Sequence, residues 1–133
     1  VRFPGYVNPE KSVVLYSVSW VSVLPSVTTK SFKEPWGLTV NEAFNQSVPV
    51  ISTDAVGAAA GGLLRNGING FVVPERDTEA LAKAMNAILS DEDLHLKMSQ
   101  NAREDIRAWT NSKMVEAFAS AISSVLPRFV QES

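Results

Sequence analysis

The chain has 133 residues, 45% of them hydrophobic, with no cysteine, one histidine and a formal net charge of −2. That is enough sequence for one domain with its own core, and it excludes a disulfide scaffold, a thiolate metal centre, a cysteine nucleophile and a zinc site built from several histidines. Both signs of charge are interleaved, without the basic excess of a sequence-independent nucleic-acid binder.

Val1-Arg2-Phe3 reads as a short strand, stopped by Pro4-Gly5. Pro9-Glu10 opens a helix through about Ser19, with Val13, Val14 and residues 16–18 as its apolar face. Trp20 to Leu24 is a short strand ended by Pro25-Ser26, and Ser26 to Lys33 is loop. Pro35 stands where a first helical residue would, because its fixed φ suits a helix and its missing N–H is no loss there. That helix is expected to reach Gln46.

Val48 to Ile51 is a near-continuous apolar run, as in a parallel strand covered on both faces. Asp54 to Gly57 is loop, and Ala58 to Leu64 is a short helix weakened by Gly61-Gly62. Gly70 to Val73 is a strand. Asp77-Thr78 caps a helix from Glu79 to Leu89, Asp91 starts another to about Ala108, and the last runs from Thr110 to Leu126. Short apolar strands alternating with helices predict an α/β fold with a parallel sheet, the helical tail packing on its outside.

The longest uncharged stretch, Ser12 to Thr29, carries too many hydroxyls and a proline to span a membrane. No basic segment followed by an apolar run and a small-residue cleavage site is visible, so no signal peptide is expected.

Ligands of open parallel sheets bind outside the carboxyl ends of the strands. The expected loops there are Pro4-Gly5-Tyr6, Pro25 to Pro35, and Ser52 to Ala59. The second holds Glu34, followed by Pro35-Trp36-Gly37-Leu38 at a helix entry. Gly37 would let a ligand approach the backbone, and the free N–H groups of that turn favour a phosphate. Glu42 follows eight positions after Glu34. On one helix that is about 12 Å along the axis, comparable with the span from sugar to ribose in a nucleotide-diphosphate sugar. One carboxylate would accept from sugar hydroxyls and the other from the ribose diol. Each residue also has a plain reading: Glu34 as a helix-dipole residue, Trp36 and Phe44 as core, Asp54 as a turn residue, His95 as a solvated surface histidine, Lys33 and Arg65 as surface charge.

Further motifs lie in order: Phe3-Pro4-Gly5-Tyr6-Val7, Leu24-Pro25-Ser26, the run from Glu34 to Ala43, Pro49-Val50-Ile51 with Val56-Gly57, and Asn66-Gly67-Ile68-Asn69-Gly70-Phe71-Val72-Val73-Pro74. Together they resemble the carboxyl-terminal, donor-binding domain of retaining glycosyltransferases of the GT-B fold (family 4-like, group 1). The resemblance implies a Rossmann-like sheet, with core motifs over 1–90 and a helical tail over 91–133 of a partial domain. It implies that an amino-terminal acceptor domain and the first strands of the donor domain lie outside this chain. Glu34 then matches the glutamate at the transferred sugar, the catalytic position. Pro35, Trp36, Gly37 and Leu38 match the donor-binding turn, Glu42 the ribose-binding glutamate, and Gly5 and Tyr6 a loop near the nucleotide.

The resemblance further implies a hexosyltransferase using a nucleotide-diphosphate sugar, with no cofactor and no protein-bound metal, inactive as this fragment alone. The expected location is cytoplasmic, with peripheral membrane association of the full-length enzyme and dimerisation of the fragment as partner expectations. Two departures stand out: Ser47 replaces a customary glycine before the Pro-Val-Ile strand, and Gly61-Gly62 replaces an acidic residue. The competing expectation is a non-catalytic nucleotide-sugar-binding or self-associating module. An epimerase of the same overall fold fits less well.

Overall fold

The computed structural model describes residues 1–130. Its centre is β2 (Val50–Thr53), all of whose residues are buried. β2 pairs in parallel with β1 (Ser22–Leu24) on one side and β3 (Gly70–Val73) on the other, Ile51 standing opposite both Val23 and Phe71. Side chains alternate across a strand, so Val50 and Ile51 feed opposite faces. Val50 joins Val40, Ala43 and Phe44 of α2 (Leu38–Asn45) and Ala58 of α3 (Gly57–Ala60). Ile51 joins Ala84 and Ile88 of α4 (Thr78–Ser90). α5 (Glu92–Arg107) serves both faces, Ala102 and Ile106 closing the first and Met98 the second. Coverage of both faces is what permits the parallel arrangement, and the expected α/β sheet with flanking helices is what forms.

The caps of α4 and α5 are those the sequence marks. The Asp77 carboxylate accepts from the Ala80 N–H at 2.8 Å, and Asp91 accepts from the Leu94 N–H at 2.9 Å. Ser47, in place of the customary glycine, does stand in the left-handed region, with φ of 60°.

Several expectations are corrected. Val1–Phe3 is not a strand: all three residues are exposed, and the sheet among the described residues has three strands. An isolated segment has no neighbouring backbone to satisfy its N–H and C=O groups, so apolar composition alone does not make it a strand. α1 (Pro9–Ser17), capped by the Asn8 side chain, rests on α2 and buries none of its residues. Of its expected apolar face only Tyr16 packs against the core; Val13, Val14 and Val18 are exposed. The Ser12–Thr29 stretch is divided between α1 and β1, and no helix among the described residues is long and apolar enough to cross a membrane. α6 (Asn111–Val130) does not pack on the sheet, because α2 to α5 already cover it; its residues 111–126 are exposed.

His95 is not a solvated surface residue. Its ring stacks on Trp20, centroids 3.8 Å apart, and its Nε2 lies 3.0 Å from the Trp20 carbonyl oxygen. The Trp20 Nε1–H donates to the Ile88 carbonyl at 3.2 Å. This pull toward α4 and α5 turns Trp20 out of strand geometry, so β1 begins only at Ser22.

The segment re-entering the sheet before β3 is fastened by Asn69, which is fully buried. Its Nδ2 donates to the Leu63 carbonyl at 2.9 Å and to Asp105 Oδ2 at 2.7 Å, while its Oδ1 accepts from the Arg65 N–H at 2.8 Å. Asp105 also pairs with the Arg65 guanidinium at 2.6 Å. Arg65 is thus held by α5. Asn69→Ala takes their partner from the Leu63 carbonyl and the Arg65 N–H, leaves Asp105 with Arg65 alone, and is expected to cost about 1.5 kcal/mol, read as a lowered urea midpoint. Arg65→Ala, which breaks a partly exposed pair, is expected to cost about 1 kcal/mol.

Candidate functional site

The carboxyl ends of β1 and β2 open into two segments that grip each other. The chain leaving β1 runs to Gly37, and the chain leaving β2 turns at once into α3. The Gly57 N–H donates to the Glu34 carbonyl at 3.1 Å, and the Ala58 N–H donates to the Trp36 carbonyl at 2.8 Å. The orphan donors at the start of α3 thereby hold the 34–36 turn.

Gly37 is the N-cap of α2 and is left-handed, with φ of 86°. It is buried, and a Cβ there would lie 2.8 Å from Leu24 Cδ2 and from Val56 Cγ1. Its N–H donates to Glu34 Oε1 at 3.0 Å. α2 therefore starts at Leu38, and Pro35 is not its first residue. Glu34 stands in the turn outside the helix, so the helical rise does not give its separation from Glu42. Two start signals competed in the sequence, and the left-handed glycine prevails over the proline because backbone acceptors at 34 and 36 are claimed by α3.

Trp36 is half-buried against the core, as expected of it. Its Nε1–H donates to Asn41 Oδ1 at 2.8 Å, and its ring tilts on Trp109 with centroids 5.0 Å apart. Gly61 lies under that ring: a Cβ there would come within 2.5 Å of Trp36 Cζ3. The glycine that weakens α3 is thus what makes room for Trp36. Phe44 is core, and Asp54 is a turn residue, its Oδ1 accepting from the Glu75 N–H at 2.9 Å.

Gly37, the N-cap of α2, has no side chain with which to cap it. The Gly37 N–H is taken by Glu34 and the Val40 N–H by the Gly37 carbonyl at 2.9 Å, which leaves the N–H groups of Leu38 and Thr39 suited to an anion. Leu38 is exposed beside it. Further along α2, Glu42 is exposed, and its Oε2 accepts from the Tyr16 hydroxyl at 3.1 Å. Partial burial, then the hydrogen bond and charge of Glu42, push the Tyr16 phenol up to about 12. The hydroxyl keeps its proton at neutral pH and remains a donor.

The loop entering the site is fastened at the exit of β3. The Thr28 N–H donates to Glu75 Oε2, and the Arg76 guanidinium donates to the Thr28 carbonyl at 2.7 Å. Arg76 itself is left-handed, with φ of 65°. Sequence reasoning passed over Glu75 and Arg76, and read Tyr16 only as part of an apolar face and Gly61 only as weakening a helix; each of the four acts on a partner distant in sequence.

Glu34, Pro35, Trp36 and Gly37 are therefore one cluster, and Leu38 and Glu42 extend it along α2. Gly5 and Tyr6 join neither group: their loop follows no strand, and Tyr6 is exposed. An apolar hollow of about 670 Å³ between the start of α2 and α6 is lined by Trp36, Leu38, Asn41, Trp109 and Met114, without Glu34 or Glu42.

The chain matches known proteins in sequence and in fold. It is 26% identical over 127 residues to the O-antigen chain mannosyltransferase C of Escherichia coli, covering 95% of this chain and 33% of that protein. The sucrose-phosphate synthase of Thermosynechococcus elongatus superposes with a TM-score of 0.73 at 30% identity, over 99% of this chain and 31% of that one. The C-terminal domain of a glycosyl transferase group 1 family protein from Francisella tularensis superposes with a TM-score of 0.64 at 26% identity, over 81% of this chain and 51% of that one. The chain thus spans about a third of the first two proteins. The fold is the Rossmann-like one of GT-B glycosyltransferase C-terminal domains. Residues 1–105 match the family described as glycosyl transferases group 1, and the chain belongs to that family.

Proposed function

We propose that the chain is the donor-binding part of a retaining hexosyltransferase that moves a sugar from a nucleotide-diphosphate sugar to an acceptor hydroxyl. One observation carries this: the turn holding Glu34 is locked to the start of α2, where the Leu38 and Thr39 N–H groups are left over, at the carboxyl end of a parallel sheet. Such an end offers backbone N–H groups to a diphosphate. Glu34 Oε1 is engaged by Gly37, leaving Oε2 to accept from hydroxyls of the transferred sugar. Glu42 accepts from the ribose diol. Trp36, Gly37 and Leu38 shape the turn around the sugar and diphosphate, and Pro35 sets its entry.

In this reaction the bond from the anomeric carbon to the diphosphate breaks, and a bond to the acceptor oxygen forms. The nucleoside diphosphate leaves, and the acceptor proton is released. No residue of this chain is assigned as a nucleophile, and neither a cofactor nor a protein-bound metal is invoked. Acceptor binding is assigned to a further domain, and turnover is expected only when that domain closes over the donor. The reaction is taken to be cytoplasmic. The names of the relatives, a mannosyltransferase and a sucrose-phosphate synthase, support sugar transfer.

The test is a titration of the chain with uridine-, adenosine- and guanosine-diphosphate sugars. One class is expected to bind, and Glu42→Ala is expected to weaken it about tenfold by removing a charge-assisted hydrogen bond. No binding in any class, or binding indifferent to Glu42, overturns the proposal.

A further inference from the structure

Glu42 is exposed on α2, where a long carboxylate side chain samples several rotamers. A ribose diol needs an oxygen held at one place. The Tyr16 hydroxyl reaches across from α1 and donates to Oε2 at 3.1 Å, leaving Oε1 for a second donor. α1 buries none of its residues and rests on α2. Tyr16 is its one side chain packed on the core cluster that includes Val40 and Phe44 of α2. The ring is therefore anchored by apolar contact while its hydroxyl points to the carboxylate.

We infer that Tyr16 is a positioning residue for nucleoside recognition: it orients the Glu42 carboxylate so that Oε1 meets the ribose hydroxyls. The inference rests on the ribose role proposed for Glu42. It adds that α1 takes part in reading the nucleoside, although it lines neither the turn at Glu34 nor the start of α2.

The experiment compares UDP, ADP and GDP, takes the tightest, and sets it against its 2′,3′-dideoxy counterpart. Tyr16→Phe is expected to weaken the ribonucleotide about fivefold, the value of one net hydrogen bond. The dideoxy nucleotide, with no diol to read, is expected to be unaffected. In a Glu42→Ala background Tyr16→Phe is expected to do nothing further. Binding is scored per folded chain, the folded fraction coming from a urea curve, so Tyr16→Phe tests the idea even where it lowers stability. Equal losses on both nucleotides, a loss that survives in the Glu42→Ala background, or full ribonucleotide binding by Tyr16→Phe overturns the inference and leaves the ribose role of Glu42 standing. If Glu42→Ala itself binds normally, or none of the three diphosphates binds, the ribose role falls and this inference falls with it.

Discussion

Gly57→Ala is expected to cost about 3 kcal/mol of stability, because the added methyl has nowhere to go. Its Cβ would lie 1.9 Å from the Pro35 carbonyl oxygen, 2.6 Å from the Pro35 carbonyl carbon and 3.1 Å from Trp36 Cα. All three are backbone atoms, which a side-chain rotation cannot move aside. Relief requires α3 and the 34–36 turn to separate, and that separation breaks the two hydrogen bonds from Gly57 and Ala58. The same displacement moves the Glu34 side chain and the start of α2, so donor affinity falls together with stability. A urea unfolding curve and a nucleotide-sugar titration read the two effects. Gly62→Ala is the control. Its φ of +83° makes alanine strained, but nothing lies within 4 Å of the new Cβ. Only the left-handed backbone term remains, about 1 kcal/mol. If Gly57→Ala is no worse than Gly62→Ala, α3 does not buttress the turn.

That buttress also explains what could be read from the sequence and what could not. α4, α5 and β3 are bounded by local signals: Asp77 and Asp91 cap their own helices, and Gly70 opens a run that pairs with β2. Local chemistry suffices for such elements. The start of α2 is different. Pro35 and Gly37 are both reasonable helix-entry residues, and the outcome depends on which carbonyls α3 claims. Val1–Phe3 carries a strand's composition but pairs with no strand among the described residues, and strand formation is a property of pairs. The stack of Trp20 on His95 joins residues 75 positions apart and leaves no mark in either local pattern. The same holds for Tyr16 and Glu42. The motif residues of the site were legible because they lie within one short run, from Glu34 to Glu42. The residues that hold them in place come from α1, α3 and the exit of β3.

These supports have different strengths, which bears on how the site would respond to a ligand. The 34–37 turn is held by backbone hydrogen bonds from α3 and by close glycine contacts, so it is preformed. Glu42 is held by one side-chain hydrogen bond from a helix with no buried residue. A rigid sugar and diphosphate end beside a more adjustable ribose end is the expected outcome. Substitutions that displace the backbone of the turn, such as Gly57→Ala, should therefore act on folding and binding together, whereas Glu42→Ala should act on binding alone.

Glu34→Gln separates the two tasks assigned to Glu34. Its Oε1 accepts from the Gly37 N–H and so steadies a buried, left-handed glycine. The amide oxygen of glutamine reproduces that acceptance at the same place, so the fold is expected to remain within about 0.5 kcal/mol of the original. What glutamine cannot reproduce is the charge, and its NH₂ presents donors where sugar hydroxyls would donate. Hydrogen bonds to a charged group contribute about 1.5–3 kcal/mol each. Donor affinity is therefore expected to fall roughly 30-fold while nucleoside-diphosphate affinity, measured without the sugar, changes little. Glu34→Ala removes both tasks. It leaves the Gly37 N–H without its acceptor and is expected to add about 1 to 3 kcal/mol of lost stability to the same loss of donor. The comparison of the two variants, by titration with the sugar nucleotide and by urea unfolding, decides the role. A Glu34→Gln chain that binds the sugar nucleotide as tightly as the original would reduce Glu34 to a backbone cap, and the sugar contact would have to be sought elsewhere along the turn.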